Sequence, residues 1–141
     1  MKVSQTIAVS VSSVLFLGMV TLSTGLALAQ SGGGNEVRLS AKMVAGAASG
    51  KADYRERGNR KRLNVEAEDL PGTTLPQQPV YVNGGQIGTI TLAACPVPAQ
   101  QLLCGEMELN TQDGQTVPGI VHGQSTVQIG QSPNILMTGS F

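Results

Sequence analysis

KADYRERGNRKRLNVEAEDL, residues 51–70, is the stretch that decides the fold class of this chain. Polar and apolar side chains alternate on both sides of Gly58-Asn59, a pair that tolerates the positive φ angles of a two-residue hairpin turn. A turn at this pair places Arg57 directly opposite Arg60 on the neighbouring strand. The stretch therefore predicts a β-hairpin with one buried side and one side that faces solvent.

The predicted register separates apolar from charged side chains. The apolar side contains Ala52, Tyr54, Leu63, Val65 and Ala67. The other side contains Asp53, Arg55, Arg57, Arg60, Arg62, Asn64 and Glu66. Four guanidinium groups, those of Arg55, Arg57, Arg60 and Arg62, thus share one face, and like charges on neighbouring strands repel each other. We expect either water and nearby carboxylates, such as those of Asp53, Glu66 and the later acidic residues, or an anionic partner to compensate this charge.

Alternation with a period of two continues on both sides of the hairpin. It predicts a first strand from Glu36, a second hairpin about Asn83-Gly84-Gly85 and further strands near residues 106–110, 117–120, 126–130 and 135–141. Residues 45–50 are predicted to form a connection, and Pro76 and Pro79 predict a segment outside the sheet. Seven to nine short strands without a helix indicate an all-β domain, either an antiparallel β-sandwich or a small Greek-key barrel.

The charges are unevenly distributed along the 141 residues, although nine Lys and Arg balance nine Asp and Glu. Residues 30–62 contain eight basic and three acidic side chains, whereas residues 63–141 contain six acidic and no basic ones. A balanced total gives no overall attraction to nucleic acid. Aromatic residues, on which bases would stack, make up only 3% of the chain. Nucleic acid is therefore not an expected partner.

The N-terminal segment has the order of a secretory signal peptide. Lys2 precedes an apolar run, and Ala27-Leu28-Ala29 supplies the small residues that a signal peptidase accepts. We expect residues 1–29 to be a cleaved signal peptide, residues 30–35 a flexible tether and residues 36–141 a single β domain. The alternative is an uncleaved anchor, because about 20 apolar residues can span a bilayer.

Cleavage would release a secreted, periplasmic or cell-envelope protein without a stable membrane span. In an oxidising compartment Cys95 and Cys104, the only cysteines, are expected to form a disulfide bond. Their spacing is not that of a Cys-x-x-Cys motif, and no histidine lies near them in the sequence, which disfavours a redox or metal-binding role.

No catalytic constellation is recognisable in the sequence. His122 is the only histidine, and it is interpreted as a structural or exposed loop residue. The chain contains no Gly-x-Ser-x-Gly elbow, His-Glu-x-x-His motif or phosphate-binding loop. The sequence therefore predicts no catalytic residue, cofactor or metal ligand. The favoured interpretation is an exported structural or interaction domain whose arginine-lined hairpin docks an acidic polysaccharide, an envelope lipid or an acidic protein.

Two other functions are compatible with the pattern. Glu66, Glu106 and Glu108 project from strand faces, and paired carboxylates are typical of glycoside hydrolysis. These residues support an alternative interpretation as a carbohydrate-binding or carbohydrate-active module. Exposed strand edges would support self-association, because they present unpaired backbone groups to a second chain.

Several stretches resemble a small all-β module of exported bacterial proteins of unassigned function. These are residues 50–55, 63–73, 82–84, 87–92, 105–118 and 139–141, and the resemblance extends over roughly residues 36–141. It implies an all-β fold and supplies no catalytic residues. A more limited resemblance, to chordin-type secreted domains, rests on Gly50-Lys51-Ala52 and Leu70-Pro71-Gly72.

Overall fold

A computed structural model of the protein describes residues 35–141. The predicted signal peptide and most of the predicted tether lie outside these residues. The described part forms eight strands: β1 (Glu36–Ala45), β2 (Ala48–Arg57), β3 (Arg60–Pro71), β4 (Gln77–Val82), β5 (Gly85–Ala94), β6 (Leu102–Asn110), β7 (Thr126–Gln131) and β8 (Asn134–Ser140). A single turn of 3-10 helix, Thr111–Asp113, follows β6.

The strands form one antiparallel sheet in the order β1-β2-β3-β6-β5-β4-β7-β8. Strand β6 returns to pair with β3, so β3 to β6 have the order of a Greek key. The sheet curls until β8 approaches β1, which nearly closes it into a barrel. The predicted all-β class is confirmed, and the barrel is the alternative that the protein adopts.

Gly139 allows β8 to approach β1 closely. A Cβ atom at this position would lie 2.5 Å from the carbonyl oxygen of Lys42 and 2.8 Å from Cγ of Met43. Contacts under 3.0 Å are essentially never made by real Cβ atoms, so any larger residue would push the two strands apart. The near closure of the barrel therefore depends on a residue without a side chain.

The core fills the inside of this barrel. The predicted hairpin register is confirmed, since Arg57 pairs with Arg60 and Tyr54 with Leu63. The predicted apolar side is buried, with Leu63 at 0% and Tyr54 at 1% exposure. Strands on the far side contribute Val80, Ile90, Val127 and Ile129, which are also buried. Burial of these aliphatic side chains is the main stabilising contribution to the fold.

Two predicted boundaries are wrong. Pro79 lies inside β4, paired with Thr89 of β5. The ladder between β4 and β7 begins only at Val80. Pro79 has no backbone N–H, and its absence therefore removes no hydrogen bond between β4 and β7. The connection predicted over residues 45–50 is reduced to a turn at Gly46-Ala47.

Residues 117–120, which were expected to form a strand, instead belong to the segment between β6 and β7 and are not part of the sheet. The side chains of Val117 and Ile120 are nevertheless buried against the core, each at 7% exposure. Their apolar pattern thus reflects burial at the end of the barrel and not alternation along a strand. Ile135 of β8, which was expected to share a face with Met137, is 47% exposed.

Antiparallel pairing gives the barrel two chemically different ends. The arginine end carries the β2–β3 turn at Gly58-Asn59, the β4–β5 turn at Asn83-Gly84 and residues 111–125. The disulfide end carries the β1–β2 and β7–β8 turns and the two longer connections, residues 72–76 and 95–101.

Candidate anion-binding face

The four predicted arginines lie on the outer surface at the arginine end. Arg55 is opposite Arg62 and Arg57 is opposite Arg60, and all four side chains are exposed. The outward direction follows from strand parity, because the residues that alternate with them, such as Tyr54 and Leu63, point into the core. The structure therefore brings all four predicted residues together on one face.

Arg38 extends this face onto a third strand. It pairs with Arg55 in the β1–β2 ladder, which gives a row of Arg38, Arg55 and Arg62 across three neighbouring strands. Sequence reasoning did not find this contribution, because it assigned residues 45–50 to a long connection and gave β1 no register. Gly46 could have indicated this pairing, because a glycine at this position favours a two-residue turn at Gly46-Ala47. In the structure Gly46 has a φ of 67°.

The arginines line a cleft of about 180 Å³. Its wall also contains Glu56 and Lys61, which form an ion pair with each other. Asn110 and Gln112 complete the wall from the end of β6 and the turn that follows. The backbone N–H of Gln112 donates to Oδ1 of Asn110 at 3.0 Å, which holds this turn in place. The cleft thus combines several guanidinium groups with amide side chains, a set suited to carboxylate or phosphate oxygens.

Most of these arginines lack an intramolecular counter-ion. Within residues 35–141, Arg62 is the only one of the four predicted arginines in an ion pair, with its Nη2 2.6 Å from Oε2 of Glu108. Asp53 pairs with Lys51 at 2.6 Å, and Glu36 pairs with Arg38 at 2.9 Å. Among the described residues, a direct ion pair with a carboxylate therefore forms at Arg62 but not at Arg55, Arg57 or Arg60, although Glu36 lies opposite Arg57 in the β1–β2 ladder.

The positive charge of the face acts on the neighbouring carboxylates. A hydrogen bond from Arg38 holds the pKa of Glu36 below its usual value, and the charges of Arg55 and Arg57 act in the same direction. Partial burial alone would raise the pKa of Asp53. Hydrogen bonds from Lys51 and from Ser40 outweigh that effect, so the pKa of Asp53 is also lowered.

A polar cluster on the inner side of the same strands supports the face. The hydroxyl of Tyr54 donates to Glu56, whose Oε1 lies 3.6 Å from Nζ of Lys61. The backbone N–H of Lys61 donates to Oγ1 of Thr111 at 2.9 Å. Burial, and then the hydrogen bond to Glu56, raise the pKa of Tyr54 well above its usual value. These contacts join both arms of the hairpin to the segment after β6.

The three glutamates of the alternative interpretation have different surroundings. Glu66 pairs with Glu106 across the β3–β6 ladder, and both line an open cleft of about 300 Å³ together with Glu68. Glu108 lies on the same outer side but is held by Arg62. The structure thus brings Glu66 and Glu106 together and directs Glu108 towards the arginine face.

The predicted disulfide between Cys95 and Cys104 is present, with 4.9 Å between the Cα atoms. It links the residue after β5 to β6. A carboxylate oxygen of Asp69 and the two sulfur atoms lie within 4.8 Å of one another. Because both sulfurs are bonded to each other, they are not available as thiolate ligands. His122 is exposed in a turn at the arginine end.

The strand order divides the outer surface into a charged and an uncharged half. Strands β1, β2, β3 and β6 are adjacent and carry every charged residue from 35 to 141 except Asp113. Strands β5, β4, β7 and β8 are also adjacent and contain no charged residue. Insertion of β6 beside β3 produces this division, since it brings the glutamates of β6 next to the basic hairpin.

Comparison of the chain with protein-family models, with curated proteins and with solved structures finds no match. The resemblance to a module of exported bacterial proteins therefore remains a prediction. Among residues 35–141 there is no helix with the length and apolar character that a membrane span requires.

Proposed function

We propose that this protein is an exported, non-enzymatic interaction domain that binds an acidic polysaccharide through the arginine face. The observation that carries the proposal is the cleft in which Arg55, Arg57 and Arg60 are exposed without an ion pair. Like charges held on facing strands reduce stability. Binding of an anionic polymer would offset this repulsion.

A polymer fits this face better than a single small anion. An exposed contact between an arginine and an anion contributes about 1 kcal/mol or less, so useful affinity requires several contacts at once. The row formed by Arg38, Arg55 and Arg62 extends across three strands, or about 10 Å, and so can contact successive acidic groups of one chain. Multiple weak contacts along one chain act together through a high effective concentration.

Features of the cleft favour a polysaccharide over a lipid surface. The tip of the hairpin is Gly58-Asn59, which offers no apolar side chain for insertion between lipid headgroups. Asn110 and Gln112 provide amide groups that hydrogen-bond hydroxyls as well as carboxylates. Acidic lipid and acidic protein are the competing partners that the experiment distinguishes.

The test compares two variants with the same net charge. In the first, Arg55, Arg57, Arg60 and Arg62 are replaced by Gln. In the control, four residues outside the charged half, Gln86, Thr89, Gln131 and Thr138, are replaced by Glu. Retention on an immobilised polyuronate at low and at about 0.5 M NaCl is the measurement, because screening weakens exposed charge contacts. We expect the wild type and the control to be retained at low salt only, and the arginine variant to be lost.

Equal retention of both variants would contradict the proposal. Binding of the same variants to vesicles of anionic phospholipid and to an immobilised acidic protein is measured in parallel. Stronger retention on either of them than on the polyuronate would reassign the partner.

The facing carboxylates support a second candidate, a carbohydrate-binding or carbohydrate-active module. Glu66 and Glu106 lie opposite each other at an open cleft. If they bind or cleave a neutral glycan, the double variant Glu66→Gln, Glu106→Gln will lose binding or hydrolysis on a glycan array. The arginine variant will keep it. A wild type without signal for any neutral glycan would exclude this candidate.

A further inference from the structure

The exposed aliphatic side chains of this barrel are confined to its two ends. Among residues 35–141 six large hydrophobic side chains are exposed, namely Val37 and Val121 at the arginine end and Val44, Leu75, Val97 and Ile135 at the disulfide end. Leu75 and Val97 lie in connections, where they are 72% and 75% exposed. Val44 points outward from β1 next to the β1–β2 turn, and the rest of the outer wall carries none of these six residues.

The two ends also carry opposite charges. Arg55, Arg57 and Arg60 form no ion pair at the arginine end. Four carboxylates towards the disulfide end, those of Glu66, Glu68, Asp69 and Glu106, likewise take part in none of the four ion pairs within the described residues. Lys42 and Lys51 lie towards the same end, but Lys51 is ion-paired with Asp53, so negative charge remains in excess there. Glu68 faces a cleft that Pro96 and Cys104 of the disulfide loop also line.

These two sets of charges do not neutralise each other inside one molecule. Glu66 is four residues from Arg62 on β3, or about 13 Å at the rise of a β-strand. Arg55, which forms no ion pair, lies opposite Arg62 at the same level on the neighbouring strand, and Arg57 and Arg60 lie two residues farther from Glu66. Screening at physiological ionic strength acts over about 8 Å, so the charges at each end remain available to a second molecule.

We propose that the arginine end of one copy docks onto the disulfide end of a second copy. Guanidinium groups of the first copy then face the carboxylates of the second, and exposed aliphatic residues of both ends lose contact with water. The two contacting surfaces differ, so the contact is head-to-tail. Each dimer keeps one free end of each kind, and further copies add in a line.

The contact is small and depends on salt. The end of an eight-stranded barrel offers less area than a standard protein interface, which places this one below about 1,200 Å² among weak, transient contacts. The inference shares with the proposed function the requirement that the arginines are accessible to anions. An acidic polysaccharide would compete with the second copy for the same cleft.

The experiment uses the purified exported protein and two variants. The arginine variant carries Gln at positions 55, 57, 60 and 62 and keeps an intact acidic end. The glutamate variant carries Gln at positions 66, 68 and 106 and keeps an intact arginine end. Asp69 is left unchanged because it has a φ of 58° at the irregularity of β3. Circular dichroism and thermal unfolding serve as the controls for the folding of both variants.

Sedimentation of each protein alone, and of the two variants mixed, is the measurement. We expect the wild type to form species larger than dimers as its concentration rises, with an association constant at least about tenfold lower in 0.5 M NaCl. Each variant alone is expected to be monomeric. The mixture is expected to form heterodimers and nothing larger, because each partner retains only one competent end.

A wild type that stays monomeric at low salt, or a glutamate variant that assembles like the wild type, would overturn the inference. Retention on polyuronate separates this failure from failure of the proposed function. The glutamate variant is expected to be retained like the wild type. A wild type that assembles through both ends but is not retained would contradict the proposed function and leave the head-to-tail contact supported.

Discussion

Arg57 and Arg60 are a pair of like charges at the end of a hairpin, a position where opposite charges would stabilise the fold. Lys42 and Lys51 form a similar pair on β1 and β2, towards the disulfide end. Only the first pair lines the arginine cleft. The two pairs therefore allow the effect of charge on stability to be separated from its effect on binding.

We predict that Arg60→Glu increases the free energy of unfolding by about 0.5 kcal/mol or less, since its repulsion with Arg57 becomes attraction across the strands. The same variant is expected to weaken retention on polyuronate. Lys42→Glu is the matched control, expected to stabilise by a similar amount without loss of retention. Urea unfolding and salt elution measure the two effects. Equal loss of retention in both variants would indicate a general effect of charge.

At the scale of residues the sequence predicts the hairpin well, because the register of the hairpin depends on residues that are close together in the chain. The turn at Gly58-Asn59 and strict alternation were sufficient to place Arg55 opposite Arg62. Which arginines lack a counter-ion was not predictable, since Arg62 pairs with Glu108, a residue 46 positions away. That contact depends on the position of β6 in the sheet.

At the scale of elements, the disulfide loop is the clearest feature with a measurable contribution. We predict that the double variant Cys95→Ser, Cys104→Ser loses about 2.5–3 kcal/mol of unfolding free energy, because a loop of about ten residues is no longer closed in the unfolded chain. Urea unfolding measures the loss, and the reduced wild type is the control. An unchanged midpoint in both would show that the bond contributes nothing to stability.

The order of the elements was beyond sequence reasoning. Most strands were expected near their observed positions, but no local pattern indicates that β6 inserts beside β3. Residues 117–120 alternate like a strand and instead bury Val117 and Ile120 outside the sheet. Apolar spacing indicates burial both in a strand and in a segment outside the sheet, such as residues 117–120. Only the tertiary structure distinguishes a strand from such a segment.

At the scale of the whole molecule, Tyr54 joins the wall of the barrel to the segment that crosses its arginine end. Its side chain is 1% exposed, its hydroxyl donates to Glu56, and the backbone of Ile120 also reaches that hydroxyl. Burial favours the neutral phenol, which is why the pKa of Tyr54 is raised. In the unfolded chain the same phenol ionises near pH 10.

Stability should therefore fall as the solution becomes alkaline. The contribution of Tyr54 is complete below about pH 10 and is lost as the pH rises through the higher pKa of the folded state. We predict that Tyr54→Phe lowers the unfolding free energy at neutral pH by about 1 kcal/mol and flattens its alkaline decline. Tyr81→Phe, on the outer side of β4, is the control. A decline as steep in Tyr54→Phe as in the wild type would contradict this assignment.

Strands β1 and β8 also bring the two ends of the described chain to one side of the molecule. Asn35 precedes β1 and Phe141 follows β8, and both lie at the arginine end. A reporter or affinity tag fused directly before Asn35 or after Phe141 would therefore lie at the same end as the arginine cleft. The turn at Gly46-Ala47 lies at the opposite end, and both of its residues are exposed. A circular permutant opened at that turn, with the original termini joined by a short linker, would carry its label away from the arginines.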